Sequence, residues 1–129
     1  MKSERVLAWV RRGLLFVVLG LLAYGWRRFD VVALPEGALS PLHGIHPGDR
    51  LLVDRHARPA AGESDWLYRV AGGALLLGRS KAAPAGVTLG ADELWLEFER
   101  ELPGLADSRT QGPIPATALE GRVVLVLPR

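Results

Sequence analysis

The sequence predicts a mostly β domain, a barrel or sandwich, carried behind a single N-terminal transmembrane helix. Three observations lead there. An uncharged apolar run lies near the N-terminus, every later apolar run is short and closed by a turn signal, and no stretch after the first keeps helical periodicity. With 129 residues there is room for one domain beyond the helix, and 49% apolar residues can supply its core. The division falls after Arg28: residues 1–28 form a cytoplasmic tip and membrane anchor, and residues 29–129 form the β domain.

The anchor is read from Gly13 to Trp26, GLLFVVLGLLAYGW, 14 residues without a charge. Such a run covers about 21 Å as a helix, less than the roughly 30 Å hydrocarbon core. Arg11, Arg12, Arg27 and Arg28 bracket it, and their long side chains can reach the headgroups, which extends the span outward to about Val6. Tyr24 and Trp26 stand where an interfacial aromatic belt belongs. A cleaved signal peptide has an apolar region of this length, but no Ala-x-Ala spacing follows it. A buried core helix is the remaining alternative. Lys2, Arg5, Arg11 and Arg12 precede the run, so the positive-inside bias places the N-terminus in the cytoplasm and the β domain on the exported side.

The strands follow in order. Apolar runs at Leu51–Val53, Trp66–Val70, Ala74–Leu77, Leu94–Phe98 and Val123–Leu127 are separated by Pro- and Gly-containing turns. Gly72-Gly73, between the second and third runs, is a hairpin signal. No helix longer than about three turns is expected after residue 40. Trp66 and Trp95 are read as core or membrane-facing, and Glu97, Glu99, Arg100 and Glu101 as a solvated charge run.

Charge and composition narrow the function. Sixteen basic and 14 acidic residues are too balanced to indicate a nucleic-acid partner. The absence of Cys excludes disulfides, zinc–thiolate sites and Cys nucleophiles. His43-x-x-His46 with Asp49 is a weak metal pattern, because the pair is not on a helical face; no metal or cofactor is expected.

Three segments carry a resemblance. Asp107-Ser108-Arg109-Thr110-Gln111-Gly112-Pro113-Ile114-Pro115, followed by Gly121-Arg122-Val123, resembles the D-S-R-x-x-G-x-V/I-P box and G-R-V strand of type I signal peptidases, serine endopeptidases with a Ser–Lys dyad. Ser40-Pro41-Leu42-His43-Gly44-Ile45-His46-Pro47-Gly48-Asp49 resembles that family's nucleophile box, S-M-x-P-T-L-x-x-G-D, with Pro41, His43, Gly44 and Ile45 departing from it. Gly78-Arg79-Ser80-Lys81-Ala82-Ala83-Pro84 lies where the base box K-R-V-V-G-L-P belongs, and places Gly78 at the Lys position. A second register, Tyr68-Arg69-Val70-Ala71-Gly72, places Tyr68 there and lacks the downstream Pro.

The resemblance implies a signal-peptidase-like fold, Ser40 as nucleophile, and Asp107, Ser108 and Arg109 as supporting residues, with Asp107 and Arg109 paired beside the site. It implies an exported preprotein as substrate and the membrane as the place of reaction. In a Ser–Lys dyad the Ser hydroxyl needs a neutral amine beside it, within about 3 Å and with its pKa lowered by burial. Gly78 offers no amine. Lys81, the only lysine beyond Lys2, is the one candidate for a displaced base, yet three residues along a strand turn it to the opposite face. His43 is a further candidate, three residues from Ser40. Two functions stay open: a membrane-anchored serine endopeptidase processing exported preproteins, and an inactive pseudo-peptidase that binds a peptide as an assembly factor or chaperone. A tethered β domain with neither role is the third and bland reading. If the dyad is lost, Gly78 is expected to face Ser40 across a shallow groove, with a void where the Lys stem lay.

Overall fold

The computed structural model describes residues 2–34, 40–60, 62–70, 75–102 and 104–128. One long helix is followed by a sheet. Helix α1 runs Lys2–Arg28, 27 residues, and none of its side chains is buried. It is long and apolar enough to cross a membrane. The helix starts well before the uncharged run, because residues 2–12 hold no Gly or Pro and several strong helix formers. Its full length is about 40 Å, which exceeds the hydrocarbon core. Trp9 and Trp26 stand free near its two ends, 75% and 85% exposed. They are about 25 Å apart along the axis, the separation two interfacial belts require.

No linker divides helix from sheet. Strand β1 (Phe29–Ala33) begins at the residue after α1 and pairs antiparallel with β2 (Arg50–Asp54). The junction is held by two arginines. Arg28 donates to both carboxylate oxygens of the buried Asp54, through Nε at 3.1 Å and Nη2 at 3.0 Å, and also bonds the Tyr24 hydroxyl. Arg55 donates through Nη2 to the carbonyls of Trp26 and Arg27, and through its backbone N–H to the carbonyl of Arg28. Three carbonyls that a helix end leaves without partners are thereby satisfied.

The remaining strands are β3 (Asp65–Arg69), β4 (Leu75–Lys81), β5 (Glu93–Glu97), β6 (Ile114–Pro115) and β7 (Leu119–Leu127), with the one-turn helix α2 (Ser108–Gln111) before β6. All pairings are antiparallel, in the order β1-β2-β7-β3-β4-β5-β6. The end strands β1 and β6 do not pair with each other among the described residues. The chain is thus mostly β behind an apolar helix, and no later helix among the described residues exceeds α2. Each apolar run read from the sequence falls within or beside a strand. The Gly72-Gly73 turn lies outside the described residues, while β3 and β4, the strands it was expected to join, pair antiparallel. Strand β1 was not foreseen.

The central strands β3, β4 and β5 are buried on both faces. Alternate residues of β3 and β4 separate into two cores: Trp66, Tyr68 and Leu76 join Leu94, Leu96, Phe98 and Ile114, while Leu67 and Leu77 join Leu51, Val53, Leu42 and Ile45. Burial on both faces explains why these strands read as continuous apolar runs and not as alternating ones. Leu42 and Ile45 come from the loop after Ser40, so that loop is a lid on the second core. Trp66 and Trp95 are both core residues, 2% and 5% exposed.

Candidate active site

The loop that carries Ser40 is fixed at both ends. Past it, His46-Pro47-Gly48-Asp49 makes a tight turn with Gly48 at φ +90°, a conformation that glycine adopts without strain. The Asp49 N–H donates to the His46 carbonyl at 3.0 Å, and the buried Asp49 carboxylate accepts the His46 N–H at 2.8 Å. The Pro-Gly-Asp match to the nucleophile box is therefore a turn that aims the chain into β2. At the Ser40 end, the Pro41 carbonyl accepts the N–H groups of Glu99 and Arg100 at 2.8 and 3.2 Å, which ties the loop to the chain leaving β5.

Ser40 itself is turned inward. It is 3% exposed, its Oγ donates to the Leu42 carbonyl at 3.0 Å, and it accepts the Leu42 N–H at 3.3 Å. This is a local side-chain turn that satisfies the hydroxyl without any base. Ser40, expected at the edge of a shallow groove, is buried instead: Leu42 enters the core two residues later and draws Ser40 in with it.

Gly78 lies in the middle of β4, opposite Trp66 of β3. A Cβ there would come to 3.0 Å from Leu96 Cβ and 3.1 Å from Tyr68 Cε1. The void expected beside Gly78 is therefore absent, because the Tyr68 ring and Leu96 fill it. The two registers of the base box, one naming Gly78 and the other Tyr68, name neighbours in space. Tyr68 is fully buried and its hydroxyl has no hydrogen-bond partner among the described residues. Burial, and then the nearby Asp107 carboxylate, push its pKa upward. A phenol held in its neutral form is a donor and cannot serve as a base at neutral pH.

Lys81 ends β4 with Trp95 as its cross-strand partner. It is exposed, on the strand face opposite Gly78, and has no hydrogen bond or ion pair among the described residues. It lines a cleft of about 480 Å³ with Glu63, Ser80, Leu89 and Glu93, of which Ser40 is not part. His43 is exposed, with its N–H on Glu99 Oε1 and its Nδ1 at 3.5 Å from Arg100 Nη2. His46 and Asp49 approach at 3.8 Å, and among the described residues no group of three or more His, Asp or Glu is placed to hold a metal.

The Asp107-Ser108-Arg109 segment is brought together tightly. Asp107 caps α2 by accepting the Arg109 N–H, and its Oδ2 accepts Arg109 Nη2 at 2.7 Å and the Phe98 N–H at 2.7 Å. Ser108 Oγ accepts the Leu96 N–H at 2.9 Å. Two consecutive side chains thus stand in for a strand along the outer side of β5. Glu97 and Glu99, expected to be simply solvated, each have a partner: Glu97 accepts the Trp95 indole N–H, and Glu99 accepts the His43 N–H.

Burial alone would raise the Asp107 pKa, but the hydrogen bonds from Arg109 and from the Phe98 and Arg109 N–H groups outweigh it and hold the carboxyl below its ordinary value. A carboxyl depressed in the folded state adds stability above its unfolded pKa of about 4, and that stability is lost as pH falls through the folded value. Asp107→Ala should cost about 1–3 kcal/mol, since the buried Phe98 N–H loses its acceptor. The cost, measured by chemical denaturation, should shrink steadily below about pH 4, where the native carboxyl also becomes protonated.

No protein-family model and no curated protein sequence matches this chain.

Proposed function

We propose that the chain is a membrane-anchored, signal-peptidase-like β domain that binds an extended segment of an exported preprotein and does not cleave it. One observation carries the second half of this reading: the space a base lysine would need at Gly78 is taken by Tyr68 and Leu96, while Ser40 spends its hydroxyl on Leu42. Serine-endopeptidase action, the other function open from the sequence, requires an amine at Ser40, and Lys81 instead lines a cleft of which Ser40 is not part. The family reading itself rests on the resemblance of the three segments; the Asp107–Arg109 pair at 2.7 Å supports it, because it is the pairing the resemblance implies.

A binding edge remains. β5 pairs with β4 only at Arg79, Ser80 and Lys81, so Leu75–Gly78 has β3 on one side and no strand on the other among the described residues. An extended peptide can add there as a further strand, with main-chain hydrogen bonds supplying affinity. With α1 as an anchor, this edge would work beside a membrane. Arg28 is neutralised by Asp54, which lowers the effective positive charge after the helix and leaves the excess at Lys2, Arg5, Arg11 and Arg12. That supports a cytoplasmic N-terminus and an exported domain.

The test uses the full chain in proteoliposomes with a preprotein that has small residues at its cleavage site. No cleavage is expected, and a photoreactive residue in place of Leu75 should crosslink the preprotein while one in place of Asp92 should not. Cleavage that disappears in both Ser40→Ala and Lys81→Ala would establish the peptidase instead.

A further inference from the structure

We infer that Pro41–Ile45 is an internal occupant of the peptide-binding edge, a strap that a bound segment must displace, and that the segment taken up carries a leucine-sized apolar residue to replace Leu42. The inference rests on the reading of Leu75–Gly78 as a binding edge and deepens it.

The strap stands where the sheet opens. Arg79 pairs with Glu97, so a β5 that ran straight on would bring Glu99 opposite Leu77. Leu96 and Phe98 give their N–H groups to Ser108 Oγ and the Asp107 carboxylate on the outer side, so by alternation the Glu99 N–H belongs to the β4 side. On β4, Ser80 gives its N–H to the Ser64 carbonyl on the β3 side. By the same alternation Leu77 turns its own N–H and C=O away from β3, into the gap that Glu99 would have closed. The group that meets Glu99 comes from the strap: the Pro41 carbonyl accepts the Glu99 N–H at 2.8 Å and the Arg100 N–H at 3.2 Å. The main-chain carbonyl of an extended peptide would make the same bonds.

Leu42 completes the imitation. It follows that carbonyl directly, is 1% exposed and lies in one apolar cluster with Leu67 and Leu77. A peptide that took the Glu99 N–H would draw Leu42 out and leave a hole in a packed core. Such a hole is unfavourable unless a side chain of like volume refills it, which a small residue cannot do. The outer ties of the strap are long and exposed: the His43 N–H reaches Glu99 Oε1 at 3.3 Å, and Arg100 Nη2 lies 3.5 Å from His43 Nδ1. Its far end is fixed by the His46–Asp49 turn, so exchange takes place at the Pro41 end. The Ser40 hydroxyl, bonded to Leu42 alone among the described residues, travels with the strap.

The chain has no Cys, so Pro41→Cys with Glu99→Cys gives a single disulfide that locks the strap. The full chain, reconstituted in vesicles, would be titrated with a short fluorescein-labelled peptide of alternating Val and Thr that carries Leu or Ala at its centre. The reduced chain should bind the Leu peptide about tenfold more tightly than the Ala peptide, and oxidation should abolish binding of both. Equal binding by the oxidised and reduced chains would overturn the strap and leave the binding edge standing. Equal binding of the two peptides would overturn the leucine-sized residue. Absence of binding by the native chain, together with no crosslink from position 75, would overturn the edge and the strap with it. Hydrogen exchange tests the strap on the native chain without any variant. The Glu99 and Arg100 N–H groups should exchange together, about tenfold or more faster than those of Leu76 and Gly78 in the β3–β4 ladder. Exchange as slow as that of the ladder would overturn the strap.

Discussion

Gly121→Ala should destabilise the domain by about 3 kcal/mol, the upper end for a methyl forced into a packed site. Gly121 lies in β7 between β2 and β3, with Leu67 as its partner. A Cβ there would fall on Val53 Cγ1 and come to 2.7 Å from the Asp54 carbonyl oxygen. A side chain can turn aside, but a carbonyl in a ladder cannot move without its strand. The strain would pass to Asp54, which holds Arg28, so the junction between helix and sheet should loosen with the core. For a domain whose whole stability is of the order of 5–15 kcal/mol, such a loss is large. Denaturation of the reconstituted chain, followed by fluorescence of the buried Trp66 and Trp95, measures it. A Gly121→Ala chain as stable as the native one would mean that β2 and β7 are further apart than described. The Gly of the Gly-Arg-Val box thus has a packing role that needs no reference to catalysis.

What the sequence disclosed and what it hid divide along physical lines. Apolar runs and turn residues are local signals, and they located α1 and the central strands. Strand β1 was missed because Phe29–Ala33 has Asp30 within it and follows a helix without any turn residue to mark the change. The pairing of Asp107 with Arg109 was expected because the segment resembles the signal-peptidase box in which those two residues pair. The closure at Gly78 was not, because it depends on Tyr68 and Leu96, residues 10 and 18 positions away that only the β3–β4–β5 ladders bring to it. A glycine where the resembled pattern has a lysine suggests an empty space. In a core packed at crystal-like density such a space is filled by whichever neighbour is large enough, here a tyrosine. The Arg28–Asp54 clamp was hidden for the same reason, with its partners 26 residues apart.

The second large effect follows from that filled space. Gly78→Lys should cost about 3 kcal/mol or more, since its stem must displace the Tyr68 ring and Leu96 and its amine must leave water. Tyr68→Ala alone should cost about 3–5 kcal/mol, as an aromatic ring removed from a core. Part of that cost is offset because the unpartnered buried hydroxyl goes with it. Were the two changes independent, the double variant would lose about 6–8 kcal/mol and a domain of ordinary stability would scarcely fold. They are not independent, because the lysine stem can occupy the room the ring vacates. The pair should therefore cost little more than Tyr68→Ala alone, with a favourable coupling of about 2–3 kcal/mol. Denaturation of the four chains closes the cycle. Additive losses would mean that Tyr68 does not stand in the path of a side chain at position 78, and the reason given for the missing base would fall with it. In the double variant the amine lies in an apolar core, so its pKa should drop well below the ordinary lysine value, and the cost of the double variant should shrink as pH rises towards that ordinary value and the amine becomes neutral in both states.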